Sequence, residues 1–139
     1  MKRILAPILL LTLLFPALAF GETMDDLVQR PQWTGLYYKK FTKVPFTGKV
    51  TGKSRGSFKD GKRDGPWIIY HDNGQLLDKG TWKDGKKYGP WVTYHDNGQL
   101  WTEGTIKDGK GDGPWVGFLK DGTVNDEYTG TYKNGVKVK

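Results

Sequence analysis

Two histidines are the residues of this sequence best suited to acid–base or metal chemistry. His71 and His95 are its only histidines, cysteine is absent, and Ser54 and Ser57 are its only serines. A catalytic centre needs such groups held together in one specific geometry. The two histidines instead begin identical segments in consecutive copies of a repeat, and Leu119 takes their place in a third copy. A residue that is duplicated with a repeat belongs to the architecture of that repeat, so we predict no catalytic residue, no cofactor and no enzyme activity.

A metal site is not expected either. Equivalent strands of successive hairpins lie two strands apart, about 9–10 Å, whereas zinc binds nitrogen at about 2 Å. His71 and His95 therefore cannot ligate one zinc ion. Asp60, Asp84 and Asp108 each precede a glycine in a lysine-rich turn, and turn formation accounts for them.

An internal repeat with a constant step organises the chain. The recurring segments are Gly-Pro-Trp at 65–67, 89–91 and 113–115, His-Asp-Asn-Gly-Gln-Leu at 71–76 and 95–100, and Lys-Asp-Gly-Lys at 59–62, 83–86 and 107–110. A relative of the last, Lys-Asn-Gly-Val, follows at 133–136 after a slightly longer step, which predicts an insertion of two residues around 125–128. A period of about 24 residues is typical of stacked repeat units.

Each repeat has the composition of two strands and two turns. Residues 66–71 are rich in aromatic and β-branched side chains, which suit a pleated sheet. Asp-Asn-Gly at 72–74 and Asp-Gly at 84–85 tolerate the positive φ of tight turns. The sequence therefore predicts an all-β fold, an elongated antiparallel β-meander of tandem hairpin repeats.

The length of the Asp-Asn-Gly loop decides which side chains share a face. A three-residue loop places Tyr70 opposite Leu76 and Ile68 opposite Asp78, with Trp82 on the same face. A two-residue turn would instead pair Tyr70 with Leu77, whose equivalent in the third repeat is Asn125. The three-residue loop keeps one face apolar and is therefore expected. The equivalents on this predicted core face are Tyr94, Leu100, Val92 and Ile106, then Phe118, Val124, Val116 and Tyr132.

The opposite face carries the tryptophans of the Gly-Pro-Trp segments, and two interpretations of them stay open. Their indoles could cap the hydrophobic layer, with each N–H bonded to a turn carbonyl. They could instead form an aromatic row that faces a ligand. The candidate ligand or partner surface comprises Trp67, Trp91, Trp101, Trp115, His71 and His95.

The N-terminal segment, 1–21, has the plan of a secretory signal peptide. A short positive start precedes an almost wholly apolar run at 4–15, Pro16 breaks that run, and small residues follow. Cleavage before Phe20 or before Glu22 fits, and the second is favoured. An uncleaved anchor is the alternative, although the run is short for a span of about 20 residues. We expect a signal-peptide helix that is removed on export, and no lipid anchor because there is no cysteine.

The positions of the repeats along the chain also define the segments that precede and follow them. We expect a signal peptide at 1–21, an N-terminal lead-in at 22–35, a divergent first β-unit at 36–57, three tandem repeats at 58–135 and a tail at 136–139. Within the lead-in, residues 22–33 are expected to form a short helix. Within the divergent unit, 36–41 and 46–50 are expected to form two strands.

The formal net charge is +7. The positive charges are spread through the turns beside aspartates rather than gathered in one block. A solvated repeat surface is favoured over a site for nucleic acid or another anionic surface.

The pattern Lys-Asp-Gly-Lys-x-x-Gly-Pro-Trp-x-x-Tyr-x-x-Asn-Gly-Gln-Leu resembles the MORN-repeat variant family, whose bacterial members are often labelled YwqK-type antitoxin proteins. The resemblance covers about residues 58–135. It implies serial antiparallel hairpins, no catalytic residues, and contacts with proteins or lipids. The antitoxin label fits poorly with an export signal, because a cytoplasmic toxin would be out of reach.

These observations favour an exported, non-catalytic interaction or scaffold module of the bacterial cell envelope, periplasmic or extracellular. Binding of glycan or cell wall through the aromatic row and an antitoxin or immunity role are the alternatives. The expected partner is an envelope protein, a lipid headgroup or a glycan, with peripheral membrane contact included and nucleic acid excluded. The chain is expected to be monomeric.

Overall fold

The structure, a computed structural model, describes residues 21–30 and 34–139, and within them it is almost entirely β. The predicted signal peptide at 1–21 lies outside the described residues, apart from Gly21. The elements are β1 Glu22–Thr23, a 3₁₀ turn Met24–Asp26, β2 Leu27–Arg30, β3 Leu36–Lys39, β4 Gly48–Thr51, β5 Ser54–Lys59, β6 Lys62–Arg63, β7 Gly65–Tyr70, β8 Leu76–Lys83, β9 Lys86–Tyr94, β10 Leu100–Lys107, β11 Lys110–Gly117, β12 Gly130–Lys133 and β13 Val136–Lys137. Across this described part of the chain, no helix has the length and apolar character needed to cross a bilayer.

One long sheet contains most of the strands. Its order is β1-β4-β5-β7-β8-β9-β10-β11-β12-β13, with β6 paired beside β5. From β4 onward each strand pairs antiparallel with its neighbour, whereas β1 and β4 are parallel. The predicted all-β meander of tandem hairpins is confirmed, and one parallel pair at its N-terminal end makes the sheet mixed.

The described part of the lead-in, residues 22–30, forms two strands and a 3₁₀ turn rather than the short helix expected from residues 22–33. Thr23 caps a single 3₁₀ turn by donating its backbone N–H and its hydroxyl to Asp26 Oδ2 at 2.8 and 2.9 Å. Leu27 then adopts extended angles, φ −105° and ψ 153°, and β2 pairs with β3 in a separate two-stranded ribbon. The helix prediction is wrong because pairing with β3 satisfies the backbone and buries Leu27, whereas a short helix gains little by itself.

The divergent first unit contains the two expected strands but does not form a hairpin. Its two strands, β3 and β4, do not pair with each other; β4 pairs with β5, and only an isolated bridge joins Tyr38 to Pro45. The ribbon of β2 and β3 instead covers the N-terminal end of the long sheet, as the cap of a repeat stack must. The cluster buried at this end consists of Leu27, Val50, Phe58 and Trp67.

Two kinds of turn join the strands of the repeats. The two-residue turns begin at Asp60, Asp84, Asp108 and Asn134. Each of these residues has a φ of 50° or 51° and precedes a glycine that also has positive φ, the geometry of a type I′ hairpin. In the other kind, His71 N donates to Gln75 O at 2.8 Å and Tyr70 lies opposite Leu76. The predicted three-residue loop is therefore confirmed.

A β-bulge beside this loop changes the register predicted for the rest of the hairpin. One extra residue before Asp78 makes it pair with Ile69 rather than Ile68. Because side chains alternate along a strand, one additional residue moves those beyond it to the other face. Trp82 consequently shares the face of Trp67, and the predicted grouping of Trp82 with the tyrosines is wrong.

The buried side of the sheet is the one that carries the Gly-Pro-Trp tryptophans, called here the tryptophan face. Trp67 and Trp91 are 1% and 3% exposed. The predicted core residues Tyr70, Tyr94 and Phe118 point to the other side and are only half-buried. The main core is thus on the face opposite to the predicted one.

Each of these tryptophan rings lies over a glycine on the neighbouring strand. A Cβ atom added to Gly80 would stand 2.0 Å from Trp91 Cε3, which is closer than any real contact. The corresponding pairs are Gly56 with Trp67 and Gly104 with Trp115. Packing therefore requires glycine at each of these three equivalent positions.

Hydrogen bonds also join successive repeats at both ends of the strands, where the connecting turns and loops form the two long sides of the sheet. On the edge formed by the two-residue turns, called the turn edge, Gly85 N donates to Arg63 O at 3.0 Å. On the opposite edge, called the loop edge, Asn73 Nδ2 donates to Asp96 O at 2.6 Å. Equivalent bonds recur in the later repeats, so the turn motifs that repeat in the sequence also join one repeat to the next.

Candidate functional site

The structure divides the predicted ligand or partner residues between interior and surface. Trp67 and Trp91 are buried, so their rings offer no face to a ligand. Trp115 is half-buried, and Trp101 is 36% exposed. Of the four tryptophans in the predicted surface, Trp101 and Trp115 are the two that a partner can touch.

The indole N–H groups of Trp67 and Trp115 bond to strands rather than to turns. Trp67 Nε1 donates to Ser57 O at 3.2 Å, and Trp115 Nε1 donates to Thr105 O at 3.1 Å. Each acceptor lies 10 residues earlier in the chain, on the neighbouring strand. These two tryptophans therefore have a structural role.

The two histidines also join adjacent repeats. His71 Nε2 lies 2.9 Å from Tyr94 O, and His95 Nε2 lies 2.8 Å from Phe118 O. Because a carbonyl oxygen only accepts, each Nε2 carries a proton and donates it to the bond. Leu119 stands at the equivalent position of the third hairpin. In the part of the chain that the structure describes, no group of three or more histidine or acidic side chains is placed to hold a metal ion.

An aromatic groove opens on the tryptophan face at the C-terminal end of the sheet. Trp101 and Tyr128 meet edge to face with ring centres 6.3 Å apart, and Trp115 and Tyr132 form a second pair at the same distance. The groove encloses about 460 Å³, a volume typical of small-ligand sites. Its other lining residues are Thr93, Thr102, Gly111 and Gly135.

The bulge of the second hairpin brings Trp101 into this groove. Trp101 is the extra residue between the pairs Leu100–Tyr94 and Thr102–Thr93, and its ring stacks on His95 with centres 5.2 Å apart. The Thr93 and Thr102 hydroxyls bond each other at 2.6 Å, and both residues line the groove beside this ring. One wall of the groove is thus a fixed aromatic ring beside a pair of hydroxyls.

The two-residue insertion predicted around 125–128 builds the other wall. It forms a turn in which Tyr128 N donates to Asn125 O at 3.2 Å. The turn brings Tyr128 against Gly117, where an added Cβ would stand 2.6 Å from Tyr128 Cβ. Sequence reasoning did not include Tyr128 or Tyr132 in the site, although the change in repeat step marked the place.

Charge is distributed unequally between the two edges of the sheet. The four two-residue turns at 59–62, 83–86, 107–110 and 133–136 contain seven lysines and three aspartates, and all seven lysines are exposed. The three loops at 72–74, 96–98 and 120–122 contain three aspartates and one lysine. The turn edge is therefore cationic. The sequence-based prediction of dispersed charge is corrected, because the meander brings the repeated turns to one edge.

The acids of the loop edge are also paired with lysines. Lys53 Nζ lies 2.5 Å from Asp72 Oδ1, and Lys120 Nζ lies 2.8 Å from Asp96 Oδ1. These lysines lower the pKa of Asp72 and of Asp96. Within the described residues, none of the seven turn lysines takes part in an ion pair, which leaves the turn edge the more available to a charged partner.

One half-buried carboxylate, that of Asp78, lies on the tryptophan face. Asp78 stands where the next repeat has Thr102, and its Oδ1 atom, like Trp91 Nε1, is buried without a hydrogen-bond partner. Burial raises the pKa of Asp78 above its ordinary value of 3.8, while Lys87 and the Trp91 indole act in the opposite direction. Lys87 Nζ itself lies 4.3 Å from the centre of the Trp91 ring.

Replacing Asp78 with asparagine should stabilise the protein at neutral pH. The folded state holds the Asp78 proton to a higher pH than the unfolded state, so stability falls as pH rises through the window above 3.8. Urea unfolding should show Asp78→Asn more stable than the parent at pH 7 and equal to it at pH 3. Asp72→Asn is the matched control and should change stability in the opposite direction, because Lys53 lowers the pKa of Asp72. Equal stabilities of parent and Asp78→Asn at pH 7 would contradict this account.

Residues 63–84 and 87–108 each match the family model described as MORN repeat variant. The chain carries tandem MORN repeats. The resemblance inferred from the sequence is thus confirmed for these two repeats, and the finer YwqK-type resemblance stays a prediction. The third hairpin, β11 with the segment up to β12, keeps the same tryptophan-on-glycine packing beyond the matched MORN repeats. No curated protein gives a significant match to the chain.

Proposed function

We propose that this MORN-repeat protein is a non-catalytic interaction module that serves as a scaffold in the bacterial cell envelope. MORN repeats are in general modules for contact with proteins or lipids. The two histidines, which would be the first choice for chemistry, are engaged in bonds between repeats. The export part of the proposal rests on the signal-peptide pattern of residues 1–21 alone.

The observation that carries the proposal is that the tryptophan face is covered at one end of the sheet and open at the other. At the N-terminal end the ribbon of β2 and β3 seals the tryptophan face, and Trp67 is 1% exposed. At the C-terminal end the same face stays open as the aromatic groove, with Trp101 36% and Tyr128 39% exposed. Exposed aromatic rings on a rigid support are typical of the centre of a binding surface.

Photocrosslinking in intact cells tests this proposal. Benzoylphenylalanine in place of Trp101 should give one discrete adduct, recovered with the envelope fraction, because the groove holds a partner against that ring. Phe41 is the matched control: it is an aromatic residue that is fully exposed, at 102%, and it lies at the capped end. Benzoylphenylalanine at Phe41 should give no discrete adduct. The same adducts from both positions, or none from Trp101, would count against the proposal.

A further inference from the structure

The aromatic groove runs into the turn edge. Its lining extends from Trp101 to Gly135, which belongs to the last two-residue turn. Gly135 N donates to Gly111 O at 2.9 Å, and a Cβ at Gly135 would lie 3.5 Å from Lys110 Cβ. The groove and the turn edge are therefore continuous, so that one ligand can contact both the aromatic rings and the lysines.

A second hollow follows along the same edge. It has a volume of about 400 Å³ and lies beside the first three two-residue turns. Its lining residues are Lys62, Lys83, Asp84, Lys86, Lys87, Tyr88 and Asp108. The cationic surface is thus a line of turns spaced about 9–10 Å apart, which suits an extended polymer better than a compact anion.

The chemistry of the groove indicates which polymer. Its rings present flat apolar surfaces, while the Thr93 and Thr102 hydroxyls supply hydrogen-bonding groups between them. Aromatic rings with a few placed polar groups suit a ligand that has both apolar faces and hydroxyls. A pyranose ring has C–H faces of this kind and hydroxyls around its rim.

We propose that the groove and the turn edge together bind an acidic polysaccharide. Its sugar rings lie on Trp101 and Tyr128, and its anionic groups lie beside the lysines of the turn edge. Three of the four turns, Lys-Asp-Gly-Lys, carry no large apolar side chain that would enter a bilayer, and the fourth has only Val136. They also lack the row of stacking rings that a single-stranded nucleic acid uses. The inference deepens the proposed function by naming a partner class for the same surface.

Tryptophan fluorescence titrations of the purified protein test this inference with four probes. Polygalacturonate is an acidic sugar polymer, dextran a neutral one, poly-L-glutamate an anionic chain without sugar, and phosphatidylglycerol vesicles an anionic surface. We expect saturable binding of polygalacturonate at least about tenfold tighter than that of the other three. Tighter binding of dextran, poly-L-glutamate or the vesicles would overturn the inference in favour of a neutral glycan, an acidic peptide or a membrane.

Two groups of variants separate the contributions of ring and charge. Trp101→Ala should weaken polygalacturonate binding about tenfold and leave its salt dependence unchanged, since a stacking contact contributes about 1.4 kcal/mol. Lys107→Gln, Lys110→Gln and Lys133→Gln together should lower the salt slope by about one per lysine, as counterion release requires. The control removes the same charge elsewhere, by Lys53→Gln, Lys79→Gln and Lys120→Gln.

The control triple variant should bind polygalacturonate like the parent. Equal losses in the two triple variants would show an effect of net charge alone and would overturn the inference. Failure of all four probes, together with a discrete adduct from Trp101 in cells, would refute the polysaccharide and leave the interaction module standing. Failure of that adduct as well would refute both.

Discussion

Replacing Trp67 with alanine should lower the free energy of unfolding by about 4 kcal/mol, the range for a buried large aromatic residue. Trp67 is 1% exposed and meets the Phe58 ring edge to face, with centres 5.2 Å apart. Its indole N–H donates to Ser57 O at 3.2 Å, and the Arg63 guanidinium carbon lies 4.7 Å from its ring centre. The substitution removes all of these contacts and leaves a cavity under the N-terminal cap.

Urea unfolding followed by circular dichroism measures this loss. Trp101→Ala is the matched control, because it makes the same change at a ring that is 36% exposed, and it should cost about 1 kcal/mol. Should Trp67→Ala leave no folded protein, Trp67→Phe keeps a ring at the site and should cost about 1.5 kcal/mol. Similar losses at positions 67 and 101 would show that the cluster around Trp67 is not the core of the protein.

Replacing Gly80 with alanine should cost about 3 kcal/mol, at the upper end of the usual range for overpacking. Gly80 has ordinary extended backbone, so alanine meets no conformational strain there. The cost arises because the new methyl group would lie 2.0 Å from Trp91 Cε3, and the ring cannot move without leaving its neighbours. Elsewhere in strands, alanine in place of glycine is normally favourable.

Gly74→Ala serves as the control for Gly80→Ala. Gly74 has a φ of +85° and nothing within 4 Å of an added Cβ, so its substitution tests backbone strain without a clash and should cost about 1 kcal/mol. The free energy of unfolding should therefore fall about three times as much for Gly80→Ala. A smaller loss at Gly80 than at Gly74 would contradict the packing described.

The repeat and its turns could be predicted from the sequence because they depend on local chemistry. Asp-Asn-Gly and Asp-Gly encode positive φ within a few residues, and the constant step between the Gly-Pro-Trp segments identifies equivalent strands. The buried face could not be predicted in the same way. It depends in part on one bulge residue before Asp78, and a bulge has no strong sequence signal, although it inverts the assignment of the side chains that follow it in β8.

The candidate site was predictable only in part for a related reason. Trp101 was included because it is aromatic, but Tyr128 reaches the groove through the insertion that interrupts the repeat. Burial separates Trp67 and Trp91 from Trp101, and the burial of Trp67 depends on where the cap of β2 and β3 lies. The lysines are evenly spaced in the sequence, and the meander topology gathers them at the turn edge.

These features connect packing with the proposed role. Tryptophans seated on glycines hold the first repeats closed, and the last repeat leaves its rings free to form the aromatic groove. The hydrogen bonds along both edges fix the spacing of the turns, so the lysines of the turn edge form a regular line. The aromatic groove thus lies where the regular repeat is altered, at the Trp101 bulge and at the insertion around 125–128.

The central claim is that the tryptophan of each repeat is seated on the glycine of the neighbouring strand. A double-mutant cycle at Gly80 and Trp91 tests it most directly, with urea unfolding of the parent, Gly80→Ala, Trp91→Leu and the double variant. In the Trp91→Leu background the smaller side chain leaves room for the methyl group. We predict that Gly80→Ala then costs nothing or is stabilising, which gives a coupling of about 3 kcal/mol. Additive losses, with Gly80→Ala equally costly in both backgrounds, would contradict the claim.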